Sequence, residues 1–160
     1  MYKKILVAID GSDPSMYALH YAADLAHEQK AELTILSVVP TIPAFVSGGY
    51  TPEYLPEYQD DLNNNYVKML KETDKDLKKS HPDLKTVPLV LQGSPGKIIV
   101  DVAISRGVDL IVVGNRGTSG MLTWMLGSTS RHVVESCTVP VLVVKDVKYC
   151  EIPKPSFKPS

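Results

Sequence analysis

The chain has 160 residues, 44% of them hydrophobic and 22% charged, with a formal net charge of -1. That is enough apolar material for one buried core, so a single domain is expected, and the charge balance leaves no basic stripe of the kind that displaces counterions from nucleic acid. Two cysteines, Cys137 and Cys150, make neither a disulfide framework nor a metal-ligand spacing and suit a reducing cytoplasm.

Met1-Tyr-Lys-Lys leads directly into Ile5-Leu-Val-Ala-Ile9, a continuous apolar run that reads as a strand buried on both faces. It is too brief for a signal-peptide core or a membrane span, so no membrane association is expected. Asp10-Gly-Ser-Asp-Pro14 ends the strand, with Asp13 expected to cap the next helix and Pro14 to take its first position. That helix, about residues 14–29, places Ala18, Leu19, Ala22, Ala23, Leu25 and Ala26 on or near one face, and its many alanines predict close packing on a sheet.

Leu33-Thr-Ile-Leu-Ser-Val-Val39 reads as the second strand, halted by Pro40. From there to about Leu55, three further breakers at Pro43, Gly48-Gly49 and Pro52, with Tyr50 and Tyr54, predict a surface excursion that either covers a ligand crevice or merely connects elements. A long amphipathic helix follows, with Leu62, Tyr66, Met69, Leu70, Thr73 and Leu77 as a core-facing stripe. Its basic cluster, Lys75, Lys78 and Lys79, is interrupted by Asp74 and Asp76 and reads as a solvated face.

Residues 86–92 form the third expected strand, closed by Gly93. Ser94 is expected to cap a helix with Pro95 first, whose Ile98, Ile99, Val102 and Ala103 face the core until Gly107. Asp109-Leu-Ile-Val-Val113 is the fourth strand, and Val139-Pro-Val-Leu-Val-Val144 the fifth, reached through a helix carrying Val133 and Val134. Strand and helix patterns alternate throughout, which predicts a parallel sheet covered on both faces. Residues 147–160, rich in proline, read as an extended tail beyond a domain of residues 1–146.

The chemistry concentrates after the fourth strand. Gly114-Asn-Arg-Gly117, nine residues, then Gly127-Ser128 place two glycine turns and a helix start at the carboxyl end of a buried strand. Without side chains in the way, main-chain amides there can approach an anion closely, and open α/β sheets bind ligands at this end. No Gly-Lys-Ser/Thr follows, so the turn is not a P-loop, and nothing evident activates a water for attack on a γ-phosphate. The four histidines, His20, His27, His81 and His132, have no zinc-site spacing, and no G-x-S-x-G elbow occurs. The segment Gly120-Met-Leu-Thr-Trp-Met-Leu126 is apolar enough to pack on the sheet or on a partner.

The spacing G-x-x-G-x9-G-[ST], the opening Lys3-Lys-Ile-Leu-Val-Ala-Ile-Asp-Gly-Ser12 and the closing Cys137-Thr-Val-Pro-Val-Leu-Val-Val144 together resemble the universal stress proteins, specifically their ATP-binding branch. The resemblance implies an α/β, Rossmann-like fold with a five-stranded parallel open sheet, in the order 3-2-1-4-5, between helices. It places Asp10 beside the nucleoside, where a carboxylate can accept from a ribose hydroxyl, unless Asp10 only closes its own turn. By the same resemblance Val38 offers backbone groups to the adenine edge with Ala8 and Ile9 nearby. Val113, Gly114, Asn115, Arg116 and Gly117 wrap the ribose and phosphates, and Gly127, Ser128, Thr129 and Ser130 complete the phosphate site. Ser128 or Thr129 could instead be an ordinary helix cap, and Arg116 either pairs with a phosphate or is solvated.

The implied ligand is ATP, or AMP or ADP, with Mg2+ or Mn2+ held through the phosphates. The implied partner is a second copy, paired through the edge strand of residues 139–144 to form a homodimer. Three readings follow: a cytoplasmic nucleotide-dependent switch or sensor of the stress response, a slow ATP hydrolase, or a dimeric scaffold that binds no nucleotide.

Overall fold

A computed structural model of the chain describes residues 1–41, 54–116, 126–136 and 139–146. Among them, five strands alternate with four helices: β1 (Lys4–Ala8), α1 (Asp13–Gln29), β2 (Glu32–Val39), α2 (Tyr54–Ser80), β3 (Thr86–Gln92), α3 (Pro95–Arg106), β4 (Leu110–Gly114), α4 (Ser128–Glu135) and β5 (Val141–Val144). All strands are parallel, in the order β3-β2-β1-β4-β5, which is the order expected.

The continuous apolar runs follow from having helices on both faces. Ile5 and Val7 of β1 join Leu33, Ile35, Leu110 and Val112 beneath Ala18, Leu19, Ala22 and Ala26 of α1 and Leu70 and Leu77 of α2. The alternate residues Leu6, Leu36, Ile111 and Val113 form a second core with Ile99, Val102 and Ala103 of α3 and Val133 of α4. The strand period of two thus divides each run between two separate cores. The alanines let α1 lie close over β1 and β4, the two strands that flank the switch in strand order.

Polar ties fix the edges of this frame. The Asp109 carboxylate accepts from the backbone amides of Lys3 at 2.7 Å and Lys4 at 2.9 Å, which pins the start of β1 beside β4. Those two amide bonds, with the positive charges of Lys3 and Lys4, hold its carboxyl below the ordinary carboxylate range. On α2, Asp74 accepts from Lys78 at 2.6 Å and from the Thr86 hydroxyl at 2.5 Å, joining the helix to β3. Asp76 pairs with Lys79 at 2.7 Å, so two of the three lysines in the basic cluster are matched by their own helix.

Several local expectations shift. Ser12, not Asp13, is the N-cap of α1, and Asp13 opens the helix. No side-chain cap bond forms; the Ser12 hydroxyl is turned toward Asp10, to which it donates at 2.5 Å. Ser94 takes the N-cap position of α3, also without a side-chain bond. β1 ends at Ala8, although the amide of Ile9 still donates to the Leu36 carbonyl at 2.9 Å. β5 starts at Val141 because Pro140 has no N–H to give, and its carbonyl accepts from Ile111 at 3.0 Å. α2 begins at Tyr54, about where the breaker-rich stretch is expected to end, with Pro56 in the first turn where a missing N–H costs nothing. Residues 42–53, the Trp124 segment from 120 to 125, Gly117, Cys137 and the tail of residues 147–160 lie outside the described residues.

Candidate nucleotide site at the carboxyl ends of β1 and β4

Since the connections of β1 and β4 leave on opposite faces, a crevice opens between their carboxyl ends. A cleft of about 220 Å³ lies there. The structure brings together around it Ala8, Ile9, Asp10, Val38, Val113, Gly114, Arg116, Gly127, Ser128, Thr129 and Ser130. Asn115 is buried behind the cleft instead of lining it. Its amide donates to the Val144 carbonyl and its carbonyl accepts from the Gly127 amide, both at 3.0 Å, so its backbone ties β4 to β5 and to the entrance of α4.

The Asp10 turn is built by short local bonds. Asp10 Oδ1 accepts from both the amide and the hydroxyl of Ser12, at 3.0 and 2.5 Å. The Asp10 amide donates to Ser15 Oγ at 3.3 Å, and Ser15 Oγ donates to the Ser12 carbonyl at 2.8 Å. Asp10 therefore closes its own turn and lines the cleft as well. Gly11 carries φ +81°, which only glycine adopts without strain, and it abuts Met69 of α2.

On the β4 side, Gly114 lies so close to α1 that a Cβ there would stand 2.8 Å from the Pro14 carbonyl oxygen. Ser130 Oγ donates to the Gly114 carbonyl at 2.7 Å within the buried interior, fixing α4 against the strand end. The N-cap of α4 is Gly127, so neither Ser128 nor Thr129 is the cap. No side-chain cap bond and no acidic residue occupy this first turn. Its amides lack intrahelical partners by the geometry of any helix start and carry the positive end of the dipole. Arg116 is partly exposed as a residue, while its Nε and Nη2 are buried and have no hydrogen-bond partner among the described residues.

Sequence reasoning missed Ser15, Leu36, Pro40, Tyr66, Pro95 and Ile99, which also line the cleft. Pro40 and Pro95 are readable in retrospect, because both follow strand ends on the same side of the sheet. Tyr66 was hidden in the apolar stripe of α2, and nothing in that spacing separates a core position from a cleft position. Burial, then the negative charge of Asp10, pushes the Tyr66 phenol above its ordinary value of 10.0.

An anion fits this donor set. Arg116 and the first turn of α4 both line the cleft, and a buried guanidinium nitrogen or helix-start amide is costly to leave without an acceptor. Among the described residues, no three His, Cys, Asp or Glu side chains cluster as a metal site, and no helix is long and apolar enough to cross a membrane.

Comparison with known proteins agrees along the whole described length. The model of the universal stress protein family matches residues 1–145. Universal stress protein YxiE of Bacillus subtilis (strain 168) is 39% identical over 150 residues, which cover 91% of this chain and 100% of the relative. Universal stress protein UspA from Lactobacillus plantarum matches with a TM-score of 0.74 at 31% identity, covering 89% of this chain and 97% of that one. A crystal structure of a universal stress protein in complex with cAMP matches with a TM-score of 0.63 at 27% identity, covering 90% and 97%. From sheet order to matched length, these findings agree: the chain belongs to the universal stress protein family.

Proposed function

We propose that this protein binds ATP, or the related ADP or AMP, in the cleft between β1 and β4 and acts as a nucleotide-dependent switch in a cytoplasmic stress response. The observation that carries the reading is that Arg116, two of whose nitrogens have no partner among the described residues, lines the same cleft as the uncapped first turn of α4. A phosphate group answers both needs with charge-assisted bonds. Ala8, Ile9 and Val38 give the cleft an apolar flank suited to a flat base, with the backbone of Val38 at its edge. A relative 27% identical to this chain is described in complex with cAMP, which supports the adenine class of ligand. Magnesium or manganese would neutralise phosphate charge, held by the phosphates and water.

The switch reading includes a homodimer. Among the described residues β5 is the last strand of the sheet and pairs only with β4, and Val141, Leu142 and Val143 on it are half-buried. A twofold pairing of such an edge is self-complementary and would cover it.

Calorimetry with ATP and magnesium tests the site. Saturable binding is expected, and Arg116→Gln should weaken ATP about tenfold or more while leaving adenosine nearly unchanged, since only the phosphates meet the guanidinium. Absence of heat and of any melting shift up to millimolar ATP would overturn the reading. Sustained phosphate release by the wild type, lost in Gly127→Leu, would move it to a slow hydrolase.

A further inference from the structure

We propose that Tyr66 of α2 is a ligand-contacting residue whose hydroxyl bonds to the sugar of the nucleotide beside Asp10, so that the α2 wall of the cleft selects ribose over deoxyribose. This rests on the nucleotide reading above and adds to it a specificity-determining group from an element outside the glycine turns.

The cleft has two ends of opposite character, in an order dictated by the sheet. On the β4 side stand Arg116 and the first turn of α4; Asp10 stands at the end of β1, and Pro40, just after β2, and Tyr66 of α2 also line the cleft. Among the described residues that line the cleft, Arg116 is the one cation. A phosphate is repelled from the Asp10 carboxylate and drawn to the far end, so the part of the ligand next to Asp10 is neutral. A carboxylate and a phenol together select a group that both donates and accepts, as a sugar hydroxyl does.

The position of Tyr66 is held by the fold. Leu70 and Leu77 anchor α2 in the core. Met69, three residues after Tyr66 and so on an adjoining part of the same face, lies where a Cβ on Gly11 would come within 2.8 Å of its sulfur. The helix therefore rests on the Asp10–Gly11 turn itself. Tyr66 is half-buried, and among the described residues its hydroxyl makes no hydrogen bond. Its phenol feels the Asp10 charge, which places the two groups in one electrostatic environment.

The test compares ATP with 2′,3′-dideoxy-ATP, each with magnesium, on the wild type and on Tyr66→Phe, which removes only the hydroxyl. Wild type is expected to prefer ATP. Tyr66→Phe should lose about five- to tenfold for ATP and nothing for the dideoxy analogue, with an unchanged melting temperature without ligand. A merely structural role would weaken both ligands equally, and that result, or an unaltered ATP affinity, overturns the proposal. Equal wild-type affinity for the two ligands also overturns it, even if the variant fails to fold. If the wild type binds neither ligand, the nucleotide reading itself has failed, which the wild-type titration separates from failure at Tyr66 alone.

Discussion

Replacing Gly114 by alanine probes the packing that makes the cleft. The added Cβ would lie 2.8 Å from the Pro14 carbonyl oxygen, 2.9 Å from its carbonyl carbon and 3.2 Å from the Ser15 nitrogen. Ordinary contact starts at 3.4 Å, so something must retreat by about 0.6 Å. The obstacle is backbone in the first turn of α1, and no rotation of a side chain relieves it. Overpacking of this kind costs about 1–3 kcal/mol. The same displacement moves Ser12 and Ser15, which hold the Asp10 turn, relative to the end of β4. Loss of one well-formed ligand bond across the cleft corresponds to about tenfold in affinity. Gly107→Ala is the matched control: its Cβ meets nothing within 4 Å, but its φ of +61° at the end of α3 makes the residue strained. It should cost about 1 kcal/mol and leave binding unchanged. Urea unfolding and calorimetry with ATP and magnesium read the two effects. A Gly114→Ala variant with wild-type midpoint and affinity, or a Gly107→Ala variant that weakens binding as much as Gly114→Ala, would refute the reasoning.

Two further outcomes are expected. Asp109 has its carboxyl held below the ordinary range by the Lys3 and Lys4 amides, so its contribution is complete above the unfolded value of 3.8 and disappears as pH falls through the lower folded value. Asp109→Ala should therefore lower the urea midpoint at neutral pH by more than it does in strong acid; a gap that stays constant with pH would show that the carboxylate is not responsible. Sedimentation equilibrium at micromolar concentration should return a dimer if the β5 edge pairs with its mate, and a monomer at all accessible concentrations removes that part of the proposal.

Much of the architecture is legible one residue at a time. Apolar runs without alternation, such as Ile5 to Ile9, require cover on both faces, and alternation of strands with helical stripes leaves a parallel sheet as the arrangement that supplies it. Glycines at 114, 117 and 127 announce a close backbone approach before any coordinate is seen. The order of the strands came from resemblance to a family, since local patterning carries no information on which strand lies beside which.

The remaining features depend on contacts between residues far apart in the chain. Whether Ser12 or Asp13 takes the N-cap position of α1 turns on where the backbone leaves the extended conformation, which Ser12 still holds while its hydroxyl bonds to Asp10. Whether Arg116 is solvated turns on what encloses its guanidinium. Tyr66 shares a helical stripe with Leu70 and Leu77, yet they enter the core and it lines the cleft, one turn from where Met69 of α2 rests against Gly11 in the Asp10 turn. Periodicity names the face a side chain occupies; only the packed neighbours say whether that face meets a core, a crevice or water, because burial is a property of the surroundings.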